Sequence, residues 1–126
     1  MLQIFVYVDG SDLEQVEAVL LKSFADFSKG WGVESVRVIN DKYERTPDLR
    51  PDDLPQWNLG LNFELERLPR TKVESLMEFL SNTARETERE FVVGTWNPET
   101  MISEDLCFVR ADIKLRDIDF LCEHLK

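Results

Sequence analysis

Of the 126 residues, 43% are apolar and 32% charged, and 25 Asp and Glu against 15 Lys and Arg leave a formal net charge of −10. A chain of this length fits one domain with a buried core, spanning residues 1–126; it is too apolar for a disordered acidic tail, and its apolar runs, such as Ile4 to Val8, fall far short of the roughly 20 residues of a membrane span. The charge is even, with 6 basic and 11 acidic side chains in residues 1–63 and 9 and 14 in residues 64–126, so no basic cluster exists to displace counterions from phosphates, and nucleic acid is excluded as a direct ligand.

Leu2, Ile4, Val6 and Val8 alternate with Gln3, Phe5 and Tyr7, which predicts an interior strand with apolar residues on both faces. Asp9-Gly10 turns the chain, and Ser11-x-x-Glu14 has the form of a capping box ahead of Leu13, Val16, Leu20, Phe24 and Phe27 at helical spacing. That helix is expected to end at Gly30-Trp31-Gly32, followed by a strand over Val33 to Ile39. Asn40 to Pro55 holds three prolines and many charges without periodicity, a surface connection longer than compact domains usually use. Trp57, Leu59, Leu61, Phe63 and Leu65 then alternate with Asn58, Gly60, Asn62, Glu64 and Glu66, the cleanest period-two pattern in the chain.

A second capping box, Thr71-x-x-Glu74, opens a helix with Val73, Leu76, Met77, Leu80 and Ala84 as its buried stripe and an end near Arg89. Phe91 to Trp96 reads as a strand, Asn97-Pro98-Glu99-Thr100 breaks it, Leu106 to Val109 is a further strand, and Leu115, Ile118, Leu121, Cys122 and Leu125 share one side of a last helix. The order predicts an α+β fold, a ferredoxin-like two-layer sandwich (βαββαβ) on an antiparallel sheet with an additional C-terminal strand and helix. That last helix is expected at a sheet edge or on the second sheet face.

Chemistry is sparse. Phe5-Val6-Tyr7-Val8-Asp9-Gly10-Ser11-Asp12 resembles the opening of universal stress proteins over about a dozen residues, but no glycine follows Gly94 to form that family's phosphate loop, so Asp9 and Ser11 read as turn and cap residues. The one histidine, His124, is third from the end, a poor position for a catalytic base. Cys107 and Cys122 lack metal or redox spacing and read as small hydrophobes in a reducing compartment; Met1-Leu2-Gln3 shows no leader-like pattern, so the expected location is cytoplasmic. The acids of the 40–55 loop lack the spacing of a metal loop, and no cofactor or metal site is expected.

Aromatic residues point to binding rather than catalysis. Phe5, Tyr7, Val92 and Trp96 fall on strand faces opposite the helix-covered side, and an apolar patch there calls for a cover. The candidate binding residues are Phe5, Tyr7, Trp57 and Trp96 with Tyr43, Asp52 and Asp53 of the long loop. The leading expectation is a non-enzymatic protein-interaction module, for instance an inhibitor or immunity-type protein for a cationic partner. A carboxylate-dependent enzyme or ligand-binding protein with a cleft between the 40–55 loop and the sheet is the second, and a homodimer the third.

Overall fold

A computed structural model describes residues 2–9, 13–31, 36–42, 57–100, 102–112 and 114–124. Five strands, β1 (Leu2–Asp9), β2 (Val36–Lys42), β3 (Trp57–Leu65), β4 (Glu90–Asn97) and β5 (Ile102–Val109), form one sheet in the order β2-β3-β1-β4-β5. Every neighbouring pair is antiparallel. Three helices, α1 (Glu17–Trp31), α2 (Arg70–Thr87) and α3 (Leu115–His124), complete an α+β fold.

The even-numbered residues of β1 and the odd-numbered ones of β3 explain the layering. Ile4, Val6 and Val8 of β1 and Leu59, Leu61 and Phe63 of β3 join Phe91 and Val93 of β4 in one cluster with the apolar stripes of the helices. Strands place alternate side chains on opposite faces, so one face of the sheet is covered by helices and, among the described residues, the other is left uncovered. An aromatic seam holds α1 and α2 to the sheet. Phe27 stacks on Phe79 at 4.2 Å between ring centroids, Trp31 meets Phe63 edge-on at 5.3 Å, and Phe24 meets Phe91 at 6.1 Å.

Four local expectations need correction. The first helix does not run unbroken from Leu13: a 3-10 turn, Leu13–Gln15, precedes α1. The Thr71 capping box is not used, because α2 starts two residues earlier with Pro69 as its cap at φ −68°, and Glu74 accepts instead from Arg70 at 3.1 Å. Its other end falls near Arg89 as expected, where Glu88 takes the left-handed conformation at φ 55° and donates its N–H to the Ala84 carbonyl. Strand β5 begins at Ile102 rather than Leu106; its first four residues are exposed, so no burial imposes an alternation there to be read. Strand β2 runs past Ile39 to Lys42, into the segment expected to be loop, while positions 33 to 35 lie outside the described residues.

The last helix packs on α2 and β5, within the helix layer, and leaves the second sheet face alone. Ile118 and Leu121 enter the same core cluster as the other helices. Arg70 reaches Asp119 at 2.7 Å across α2 and α3, and the Ala111 carbonyl ahead of α3 accepts from Ser81 at 2.5 Å and from Arg85 at 3.1 Å. These contacts fix α3 on the helix side.

Candidate interaction face

The register sorts the uncovered face into rows. One row runs Arg37, Asn62, Phe5, Gly94 and Asp105 from β2 to β5; the next runs Ile39, Gly60, Tyr7, Val92 and Phe108. Glu64 sits opposite Gln3, and Trp96 opposite Ser103, on the side of the first row away from Tyr7. Directly opposed residues on one face have Cβ atoms about 4.5–5.5 Å apart, so each row is a line of touching side chains.

Glycine shapes two positions. A Cβ on Gly94 would strike the Phe5 ring and the Glu104 carbonyl oxygen, so the absent side chain is where the Phe5 ring lies. A Cβ on Gly60 would strike the Val6 carbonyl oxygen, with the Tyr7 Cα 2.9 Å away, so only glycine admits β1 at this approach. Phe5 and Tyr7 stack at 5.1 Å with planes 23° apart, and the Tyr7 hydroxyl donates to Asn62 Oδ1 at 3.0 Å. The ring pair is thereby held between β3 and β4.

A β-bulge decides what β5 contributes. The register shifts between Val93 and Gly94, which face Cys107 and Asp105, leaving Leu106 as the extra residue. Leu106 and Cys107 both pack against the core, and beyond them the parity of the strand reverses. Ser103 and Asp105 therefore join the uncovered face, where strict alternation from Val109 would have turned them to the helices.

The result is a groove of about 610 Å³ whose lining includes Phe5, Tyr7, Val92 and Trp96 with Gln3, Asn58, Asn62, Arg37, Glu64, Ser103 and Asp105. Rings form its floor; amides, a hydroxyl, two carboxylates and one guanidinium form its sides. Among the described residues no ion pair engages Glu64 or Asp105, whereas Arg110 on the same strand as Asp105 is paired with Glu90 at 3.0 Å. Such a lining can stack, exchange hydrogen bonds and attract a cation.

Of the residues singled out from sequence, Phe5, Tyr7 and Trp96 come together here. Trp57 opens β3 opposite Lys42, while Tyr43, Asp52, Asp53 and the cleft expected beside the 40–55 loop lie outside the described residues. Sequence reasoning missed Gln3, Arg37, Ser103 and Asp105 as site residues. Arg37 joins through a pairing across the long connection, and Ser103 and Asp105 through the bulge, neither of which leaves a periodic signal.

Groups with nucleophilic or basic chemistry lie elsewhere. Burial pushes the Cys107 thiol up to about 11, with the Asp117 charge adding to it, so the thiol stays protonated near neutrality. His124 sits on α3, its ring 4.1 Å from that of Phe120. Among the described residues no group of three or more His, Cys, Asp or Glu could hold a metal ion, and no described helix is long and apolar enough to cross a membrane. No family model, curated protein or solved structure matches the chain.

Proposed function

We propose that the chain is a non-enzymatic protein-interaction module that binds a cationic protein through the uncovered face of its sheet, as an inhibitor or immunity-type protein would. The observation that carries this reading is the aromatic-floored groove with its carboxylates Glu64 and Asp105, unpaired among the described residues, on a chain of net charge −10. Rings supply the desolvated area of an interface and the charge supplies orientation and on-rate. A phosphate backbone laid across the same rings would meet two acids and one Arg37, which disfavours nucleic acid. Two identical faces would bring like charges together, which disfavours a second copy.

We read the architecture as ferredoxin-like. What supports it is the 2-3-1-4 order of the first four strands with α1 and α2 on one side, β5 and α3 being the additions. The free thiols of Cys107 and Cys122 fit a cytoplasmic setting.

The test compares surfaces. Basic proteins captured from the native host by the wild-type chain, identified and then titrated singly, are expected to lose at least tenfold in affinity to Asp105→Lys and to Phe108→Glu. The same affinity is expected to survive Phe120→Glu on α3, and to fall as salt is raised. Binding indifferent to the sheet-face variants, or self-association through that face in light scattering, would overturn the reading.

A further inference from the structure

We propose that the group received by this face is an arginine side chain of the partner, its guanidinium laid on the Trp96 indole and forked onto Asp105; the assignment rests on the interaction reading above. The three rings of the groove are not equivalent. Phe5 is only 9% exposed, sealed by its neighbours, and Tyr7 is committed to Phe5 on one side and to Asn62 through its hydroxyl. Trp96, half-buried at the end of the groove floor, is the ring with area to offer, and indole is the strongest cation–π acceptor among the side chains.

Asp105 stands beside it. Trp96 lies opposite Ser103 and Gly94 lies opposite Asp105, so Trp96 and Asp105 are diagonal neighbours across β4 and β5, about 7–8 Å apart at their backbones and within reach of one long side chain. Gly94 puts no side chain of its own between them, and the Phe5 ring that lies over it continues the flat floor. A planar ion resting on the indole can therefore turn its edge to the carboxylate, with the Ser103 hydroxyl and the Gln3 amide oxygen as further acceptors in the same groove.

Planarity selects arginine over lysine. Guanidinium presents donors in a flat fork, stacks on rings and is weakly hydrated, whereas an ammonium is a hydrated point charge that uses neither the flat floor nor a bidentate carboxylate. An uncharged sugar could stack on the same indole and bond to the same amides, but would draw nothing from the two carboxylates or from the field of the chain.

The experiment is a titration of the full ¹⁵N-labelled chain with acetyl-Gly-Arg-Gly-amide, its lysine counterpart and maltose, followed by amide and indole resonances. The arginine peptide is expected to move the Trp96 indole N–H and the amides of Ser103 and Asp105, and to bind at least threefold more tightly than the lysine peptide. Asp105→Asn, an exposed and nearly isosteric change, is expected to weaken it at least fivefold; Asp112→Asn, beyond the end of β5, is expected to leave it unchanged. Equal shifts with lysine, a response to maltose instead, or indifference to Asp105→Asn would overturn the assignment. If a basic protein is still bound through this face while the arginine peptide moves nothing, the arginine assignment falls and the interaction reading stands; if neither binds, both fall.

Discussion

The two faces of the sheet are made by the same strands, yet they solve different problems. On the helix side nearly every contributor is aliphatic or phenylalanine and nearly inaccessible, with Val6, Leu59, Leu61, Phe91 and Val93 all at 0% exposure. The other side alternates rings with amides, carboxylates and two glycines, and ends in Phe108 at 50% exposure. A face meant only for water has no need of stacked rings, and a face meant for helices could not bury Glu64 and Asp105 unpaired. The difference teaches that composition within a row, rather than total hydrophobicity, separates a core from a surface awaiting contact.

The sharpest way to break this contrast is to truncate one phenylalanine on each face. Phe91→Ala removes a fully buried ring from contact with Phe24 and is expected to lower stability by about 3–5 kcal/mol in urea unfolding. Phe108→Ala, directly opposite Val92 at the edge of the uncovered face, is expected to stay within about 0.5 kcal/mol. Comparable losses would mean that Phe108 is buried by something in the folded chain.

Glycine substitutions probe the uncovered face more finely. A Cβ at Gly60 meets only backbone of β1, and most closely, while a Cβ at Gly94 meets the Glu104 carbonyl oxygen of the edge strand and the Phe5 ring, which can yield in part. Gly94→Ala is expected to cost about 1–3 kcal/mol and to shift the Phe5 and Tyr7 ring resonances, and Gly60→Ala to cost more. An inexpensive Gly60→Ala would show that β1 and β3 are less closely apposed than the register implies.

The smallest effect lies on the helix side, at alkaline pH. The Cys107 thiol is raised from an ordinary 9.0 to about 11, mainly by burial and secondly by Asp117. Between those values the unfolded chain loses this proton while the folded chain keeps it, so stability falls as pH rises from 9.0 towards about 11 and is unaffected by this group below 9.0. Urea midpoints across that window are expected to decline less for Cys107→Ala than for the wild type. Parallel declines would place the thiol in water.

What was legible in the sequence follows the same division. Where one face is dry and the other wet, alternation is written plainly, as in Trp57 to Leu65, and the stripe Val73, Leu76, Met77, Leu80 and Ala84 is buried on α2 as its spacing implies. Where burial relaxes, the pattern dissolves: Ile102 to Asp105 is exposed on every residue and gave no strand signal. Local capping chemistry also misled, because Pro69 preset the start of α2 and left Thr71 and Glu74 with other roles. The aromatic floor of the groove was visible through Phe5, Tyr7 and Trp96; Arg37, Ser103 and Asp105 reach it by pairings set in three dimensions.

The extra residue in β5 decides which face the four strand residues before it show. Deleting Leu106 would set Asp105 beside Cys107 and restore strict alternation with Ser103 and Asp105 still towards the groove, whereas an unbulged β5 that kept Leu106 would turn Ile102 and Glu104 there instead. The bulge thus absorbs one residue of length without changing which side chains the β5 rim offers, so Ser103 and Asp105 keep their places over the groove while the buried side of the sheet stays under its own constraint.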